Sequence, residues 1–192
     1  MAPKQKFTKQ EIIIAAFDLA RDKGLDSITI RSVAQKLGSS IAPIYVNFNN
    51  IDELIQEVVK KTFEVSRQML IEQNSGHPFR DIGIASLRFA NEYSLLYRDL
   101  IIKNNPHMKY ENENIYMVIE QMKMDPMLSH FSNEELKSIL FKMQTFQTGL
   151  SVMAANKLLP EDCDDEKLIE ILDSIAEDII AAARLRKNGS LT

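Results

Sequence analysis

The chain has 192 residues, 45% of them hydrophobic and 26% charged, with 23 Lys+Arg against 27 Asp+Glu and a formal net charge of -4. This suits one or two domains with an ample core, and 6 Gly, 6 Pro and a single Cys exclude disordered, collagen-like and disulfide-rich scaffolds. Cys163 has no disulfide partner, no apolar run approaches the roughly 18 residues of a membrane span, and polar Met1–Gln10 is no signal peptide, so the expected compartment is the cytoplasm.

Strand signals are nearly absent, and the periodicity predicts an all-α protein of about nine helices. Thr8-Lys9-Gln10-Glu11 reads as a capping box. Ile13, Ala16, Phe17 and Ala20 follow at helical spacing, and Gly24 is expected to end the helix as a left-handed cap. After a connector at Asp26–Ile28, Thr29 caps a short helix with Ile30, Val33, Ala34 and Leu37 on one face, and Gly38 closes it. Ser39-Ser40 is expected to open a third short helix carrying Ile44 and Phe48, with Pro43 in its first turn, where no N–H is needed.

Asn50 and Glu53 start a long amphipathic helix over about 51–73. Pro78 suits the first turn of a helix to about Asn91, and a further helix is expected over Ser94–Ile102. Asn104-Asn105-Pro106 is a loop, followed by a helix near 111–124 that Pro126 ends. Two strong helices close the chain, over about 133–157 and 165–186. Leu150 and Ala154 of the first, and Leu168, Leu172, Ile175 and Ile179 of the second, lie on apolar stripes and are the expected dimer interface. The last helix carries a second stripe, Ile169, Ala176, Ile180 and Ala183, so its apolar face needs two neighbours, one of which a second subunit can provide.

Charge is unevenly distributed. Residues 1–50 hold seven bases (Lys4, Lys6, Lys9, Arg21, Lys23, Arg31, Lys36) and four acids (Glu11, Asp18, Asp22, Asp26). That is +3, against -7 for the remainder, and a basic head on an acidic body suits a polyanion partner at the head. Within the head, Thr29 to Phe48 has the makings of a helix-turn-helix. Two short helices are joined by Leu37-Gly38-Ser39-Ser40, with small Ala34 where the backbones cross and Gly38 for the turn. Val33, Leu37 and Ile44 supply a shared core, which leaves the turn from Ser39 to Pro43 free to enter a major groove.

These residues carry a resemblance. The run Thr29-Ile30-Arg31-Ser32-Val33-Ala34-Gln35-Lys36-Leu37-Gly38, with Ile44-Tyr45, Phe48 and Asp52-Glu53-Leu54, resembles the DNA-binding domain of the TetR family of transcriptional regulators. The resemblance implies a DNA-binding domain over residues 1–60, with the helix-turn-helix at 29–48, and an effector-binding and dimerisation domain over 61–192. It implies that Thr29 and Arg31 approach phosphate, that Ser40, Ile41, Ala42 and Pro43 face the bases with Ser39 at the DNA beside them, and that Tyr45 meets the DNA backbone. Asn47 and Asn49 lie beside Tyr45, and Lys4 and Lys6 on the arm add backbone or minor-groove contacts. This chain departs from the family at Ile41, where a polar or basic residue is frequent, and at Asn47, where an aromatic or His is common. It also has Asn49, Asn50 and Ile51 where a Lys is common. Ile41, Ala42 and Pro43 can read only shape or thymine methyls.

The body is rich in Met and aromatic residues, which suit either a packed core or a cavity for an apolar effector. Phe89, Tyr93, Tyr97, Met117, Met122, Phe146 and Gln147 are the candidate lining. His77, His107 and His130 are far apart in sequence, Cys163 sits among acids that blunt a nucleophile, and no phosphate loop, HExxH or nucleophile elbow is present. The expectation is a non-enzymatic regulator without metal or cofactor. The expected molecule is a homodimeric repressor of a pseudo-palindromic operator, with double-stranded DNA and a small apolar or aromatic effector as partners and no membrane. The rivals are a DNA-binding dimer without an effector and a helical protein-interaction module.

Overall fold

The computed structural model describes residues 7–107, 112–155, 158–160 and 163–190, with backbone alone at 112–114 and 155. The described residues contain nine α-helices and no strand. They are α1 (Lys9–Lys23), α2 (Ile30–Lys36), α3 (Ala42–Asn47), α4 (Ile51–Glu72), α5 (Pro78–Glu92), α6 (Ser94–Tyr97), α7 (Asn112–Lys123), α8 (Asn133–Ala155) and α9 (Asp165–Lys187). The chain forms two compact units, one of residues 1–68 with 92–109, the other of residues 69–91 with 110–192. The first unit therefore reaches past the segment 1–60 and takes in a distant strap, 92–109.

In the first unit, α1 packs against α2, α3 and α6. Its Ile12, Ala16 and Ala20 are fully buried, as are Val33 of α2, Ile44 of α3, and Leu54 and Val58 of α4. Small Ala16 and Ala20 let the short helices approach closely, so apolar burial accumulates without long side chains. The Thr8 capping box forms as expected: its hydroxyl accepts from Glu11 N at 3.2 Å while the Glu11 carboxylate accepts from Thr8 N at 2.7 Å. Gly24 ends α1 with φ 86° but ψ 165°, so it has the positive φ expected of a glycine but not the left-handed helical pair.

Two further expectations are corrected. The third helix begins at Ala42 rather than at Ser39-Ser40. Ile41 stands at its cap without a side-chain bond, and the Ser39 hydroxyl donates instead to the Ser40 carbonyl at 2.9 Å. The segment Ser94–Ile102 is not one α-helix: α6 gives way to a wider π-type turn over Arg98–Ile102, closed by Lys103 N donating to Arg98 O at 2.9 Å.

In the second unit, Phe79 of α5, Ile119 and Met122 of α7, Leu136, Ile139, Leu140 and Met143 of α8, and Leu172 and Ile180 of α9 form one buried cluster. Leu87, Leu150 and Leu168 form a second. Gly83 sits where a Cβ would come within 3.0 Å of the Leu172 side chain, so a glycine sets how closely α5 approaches α9. Arg80 of α5 fixes the same pairing by donating to both carboxylate oxygens of Asp173 at 2.9 and 3.1 Å, and Gln147 ties α8 to α5 by donating to Gly83 O at 2.7 Å.

Candidate nucleic-acid interface

The head presents α3 through a local chain of caps. Thr29 and Ser32 close a reciprocal box at the start of α2, with Ser32 N donating to Thr29 Oγ1 at 3.0 Å and Thr29 N to Ser32 Oγ at 2.9 Å. Gly38 turns the chain at φ 64°, in open space, where its role is conformational. Ile44 and Phe48 then anchor one face of α3 in the core, one turn apart. That fixes the opposite face outward: Ile41 is 46% exposed, Tyr45 57% and Val46 83%, with Ala42 also exposed.

Of the residues expected at DNA, Thr29, Arg31, Ser40, Ile41, Ala42, Tyr45 and Asn49 are exposed, and Ser39, Pro43 and Asn47 are half-buried. Lys6 and Lys4 lie outside the described residues. Asn47 is tethered: its side-chain nitrogen donates to Pro43 O at 2.8 Å and to Phe7 O at 3.3 Å. Asn49 is tied to Glu53, whose carboxylate accepts from Asn49 N at 2.9 Å and Asn49 Nδ2 at 3.0 Å, while Asn50 Oδ1 caps α4 through Glu53 N at 2.8 Å. The backbone bond from Asn49, aided by its amide and by Lys9 at 3.4 Å, holds the Glu53 carboxyl below its ordinary range.

Bases in the head divide into paired and open. Arg21 is paired with Asp18 and Asp22, and Lys9 with Glu53 while also lying over the Phe48 ring. Arg31 and Lys36 of α2 are exposed, with no ion pair among the described residues. Thus α2 offers the positive charge and α3 the uncharged surface, a division suited to phosphate contact by one helix and base contact by the other.

Three features were not legible from the sequence motif. Val46 follows Tyr45 on the outward face, and only the buried pair Ile44–Phe48 shows which way it points. Asp99, 3% exposed, accepts from Leu25 N at 2.8 Å, just where α1 hands over to α2. Arg98 and Lys103 each lie 2.9 Å from its other oxygen. Burial pushes this carboxyl up, yet the bonds from Arg98, Lys103 and Leu25 outweigh it and hold it below its ordinary value. Gly24 leaves room for this clamp: a Cβ there would stand 2.6 Å from Asp99 Oδ2.

The candidate effector residues do not share one unit. Tyr93 and Tyr97 belong to the first, where the Tyr93 ring meets Phe17 at 6.1 Å between centroids. Phe89, Met117, Met122, Phe146 and Gln147 belong to the second. There Met122 is core, Phe89 is buried, Phe146 is half-buried, Met117 is exposed, and Gln147 is bound to Gly83. Of the residues proposed for a subunit interface, Leu150, Leu168 and Leu172 are buried inside this subunit, whereas Ala154, Ile175 and Ile179 keep part of their surface. No helix among the described residues is long and apolar enough to cross a membrane.

The family model for bacterial regulatory proteins of the tetR family matches residues 12–58, the stretch from α1 into α4. Solved structures are similar over almost the whole chain. A transcriptional regulator from Rhodococcus sp. Rha1 is 17% identical with a TM-score of 0.66, over 92% of this chain and 97% of that one. The multidrug binding protein EbrR, complexed with imidazole, is 12% identical with a TM-score of 0.63, over 91% of this chain and 96% of that one. At such identities these likenesses are of fold. No curated protein sequence matches the chain.

Proposed function

We propose that the chain is a TetR-type transcriptional regulator rather than an enzyme, since the tetR-family model matches its residues 12–58, and that it acts in the cytoplasm as a homodimeric repressor released by a small, largely apolar effector. The observation that carries the DNA half is the outward face of α3, lying next in sequence to the exposed bases of α2 inside the matched segment. A two-fold dimer sets two such helices about 34–36 Å apart, on successive major-groove faces of a pseudo-palindrome, and binding over a promoter blocks transcription.

The proposed dimer face is the outer side of α8 and α9, since Leu150, Leu168 and Leu172 already serve the subunit's own core. Phe141, 71% exposed, Thr145, Gly149 and Met153 recur every four residues along α8, and Ser174, Ala181 and Leu185 are exposed on α9. A glycine with open space around it lets a partner helix approach closely. The Met and aromatic residues of the second unit suit an adaptable apolar site, in keeping with EbrR being a multidrug binding protein. An effector shifts the heads only by as much as its affinity differs between the two states, and α4, which carries the chain from one unit into the other, is the proposed route.

The test is selection of bound genomic fragments followed by footprinting at two salt concentrations, with sedimentation to read the oligomer. The expected result is a protected palindrome bound by a dimer. Few open bases in the head predict a shallow salt dependence, with a slope of about -0.9 per phosphate contacted. A folded protein that enriches no fragment at low salt would sink the reading.

A further inference from the structure

We propose that this head selects operator half-sites by their thymine methyl groups, read by an apolar face made of Ile41, Ala42 and Val46. The inference rests on the reading of α3 as the recognition helix and adds the chemistry that it recognises.

The major groove distinguishes bases by hydrogen-bonding edges and by the thymine 5-methyl. The side chains that read edges are Arg, Lys, Asn, Gln, Glu and Asp. Between Lys36 and Asp52 the sequence has no charged residue and no Gln, and its amides are Asn47, Asn49 and Asn50. The structure takes these amides out of base reading one by one. Both amide hydrogens of Asn47 are taken by Phe7 O and Pro43 O, so it cannot donate and accept together on an adenine edge. Asn49 is held by Glu53, and Asn50 caps α4. Asn47 is thus a positioning residue, tying α3 to the start of α1. Ser40 remains as an exposed hydroxyl at the entry to α3, and a hydroxyl contact discriminates poorly between bases.

Apart from the Tyr45 phenol, whose expected partner is the DNA backbone, what α3 presents is hydrocarbon. Val46 is 83% exposed, one turn beyond Ala42, and Ile41 is 46% exposed at the entry to α3, one turn before Tyr45. Exposed branched side chains on a six-residue helix leave their methyl groups in water until a surface covers them. In a major groove the apolar partner is the thymine methyl, and each methyl buried there is worth about four-fold in affinity. No guanidinium or ammonium on α3 is available to favour guanine, so discrimination runs toward consecutive A·T pairs.

The experiment uses the full-length protein and the operator duplex recovered by fragment selection. Each thymine of a half-site is replaced by deoxyuridine, which deletes the methyl and leaves every hydrogen-bonding edge. The expected result is a loss of roughly four-fold at each of two or more thymines, and on the order of ten-fold when one contacted position is replaced in both half-sites. Val46→Ala and Ile41→Ala sit on exposed positions and are expected to melt like the wild type. Each is expected to bind the thymine duplex more weakly while losing the preference for thymine over uracil at one position, with the salt slope unchanged. Asn47→Ala is expected to lower the melting temperature and to keep the full thymine preference among bound complexes. Equal binding of thymine and uracil duplexes by the wild type overturns methyl reading and leaves the regulator intact. Discrimination that survives both Val46→Ala and Ile41→Ala overturns the assignment to this face. Failure to bind any duplex overturns the regulator reading, and this inference with it.

Discussion

Two carboxylates brace the same three-helix head, and they do so in opposite ways. Glu53 stands at the surface and works within its own neighbourhood, accepting from Asn49 four residues back and from Lys9 at the start of α1. Asp99 is buried, and it accepts the N–H of Leu25 across 74 residues of chain. The first fixes where α4 begins after α3. The second fixes where α2 begins after α1. Water can replace most of what Glu53 does, because its bonds are solvated and screened. Nothing replaces Asp99, because a buried N–H left without an acceptor costs its whole desolvation. The difference teaches that the outward face of α3 is set by short-range caps, while its seating depends on a residue outside the motif.

The sharpest way to break the comparison is Asp99→Ala. It orphans Leu25 N–H, and the expected cost is about 2–3 kcal/mol in urea unfolding. Asp99→Asn keeps an acceptor for Leu25 but loses the charge that Arg98 and Lys103 face, so about half that loss is expected. If Asp99→Ala left the midpoint unchanged, the clamp would be decorative. The pH dependence has a definite sign. The folded carboxyl is held below its ordinary value, so its stabilisation is complete above the unfolded pKa, about 4, and drains away as pH falls through the lower folded value. The wild type is expected to lose more stability than Asp99→Asn between pH 5 and about pH 3. Parallel curves for the two proteins would remove the ion pairs from the account.

Next in size is Gly24→Ala. An alanine there meets a positive φ and a carboxylate oxygen 2.6 Å from its Cβ. Backbone strain alone is worth about 1 kcal/mol, and the collision adds to it. A double-mutant cycle with Asp99→Ala separates the two: with the carboxylate gone, the backbone part should remain, with only the milder 3.0 Å approach of Arg98 Nη2 beside it. Additive costs would mean that Gly24 is required for its φ and not for the room it gives Asp99.

Smaller again is Thr29→Ala, which removes the reciprocal cap with Ser32. A cost of about 1 kcal/mol is expected, the usual worth of an N-cap. Glu53→Ala should cost less, since its partners stay solvated. If Glu53→Ala cost as much as Asp99→Ala, the contrast between surface and buried bracing would fail.

These sizes parallel what the sequence makes legible. Thr8, Thr29, Gly38, Asn50 and Pro43 act within a few residues of themselves, so their helices can be read directly, and the whole helix-turn-helix follows from them. The start of α3 is the local failure: two serines look like a cap, yet Ser39 bonds to its neighbour's carbonyl and the helix waits for Ala42. Long-range partners leave no such trace. Asp99 beside Arg98 and Lys103 looks like any solvated helix face until Leu25 is brought to it. The stripes of α8 and α9 are legible as apolar, but periodicity cannot say which neighbour covers them. Leu150, Leu168 and Leu172 are covered by this subunit's own helices, and the surface left over begins at Phe141.

The smallest expected effect carries the comparison into the second unit. Ser151 of α8 is buried, and among the described residues its Oγ is the buried side-chain atom without a hydrogen-bond partner. One turn earlier on the same helix, Gln147 is buried too, but its amide reaches Gly83 O. Here the contrast is between a polar group that is satisfied and one that is not. Gln147→Leu should therefore destabilise, leaving Gly83 O unmet, by about 1 kcal/mol or more. Ser151→Ala should be neutral or should stabilise by up to about 1 kcal/mol, because it removes a hydroxyl that gains nothing from burial. Under the effector proposal, an unmet buried hydroxyl is also what a ligand with one polar group would meet in this unit. The two roles separate in a pair of measurements on Ser151→Ala, thermal unfolding and release from operator by an active effector. A more stable protein that needs more effector for release would place Ser151 at the ligand. A more stable protein with unchanged release would make it packing alone.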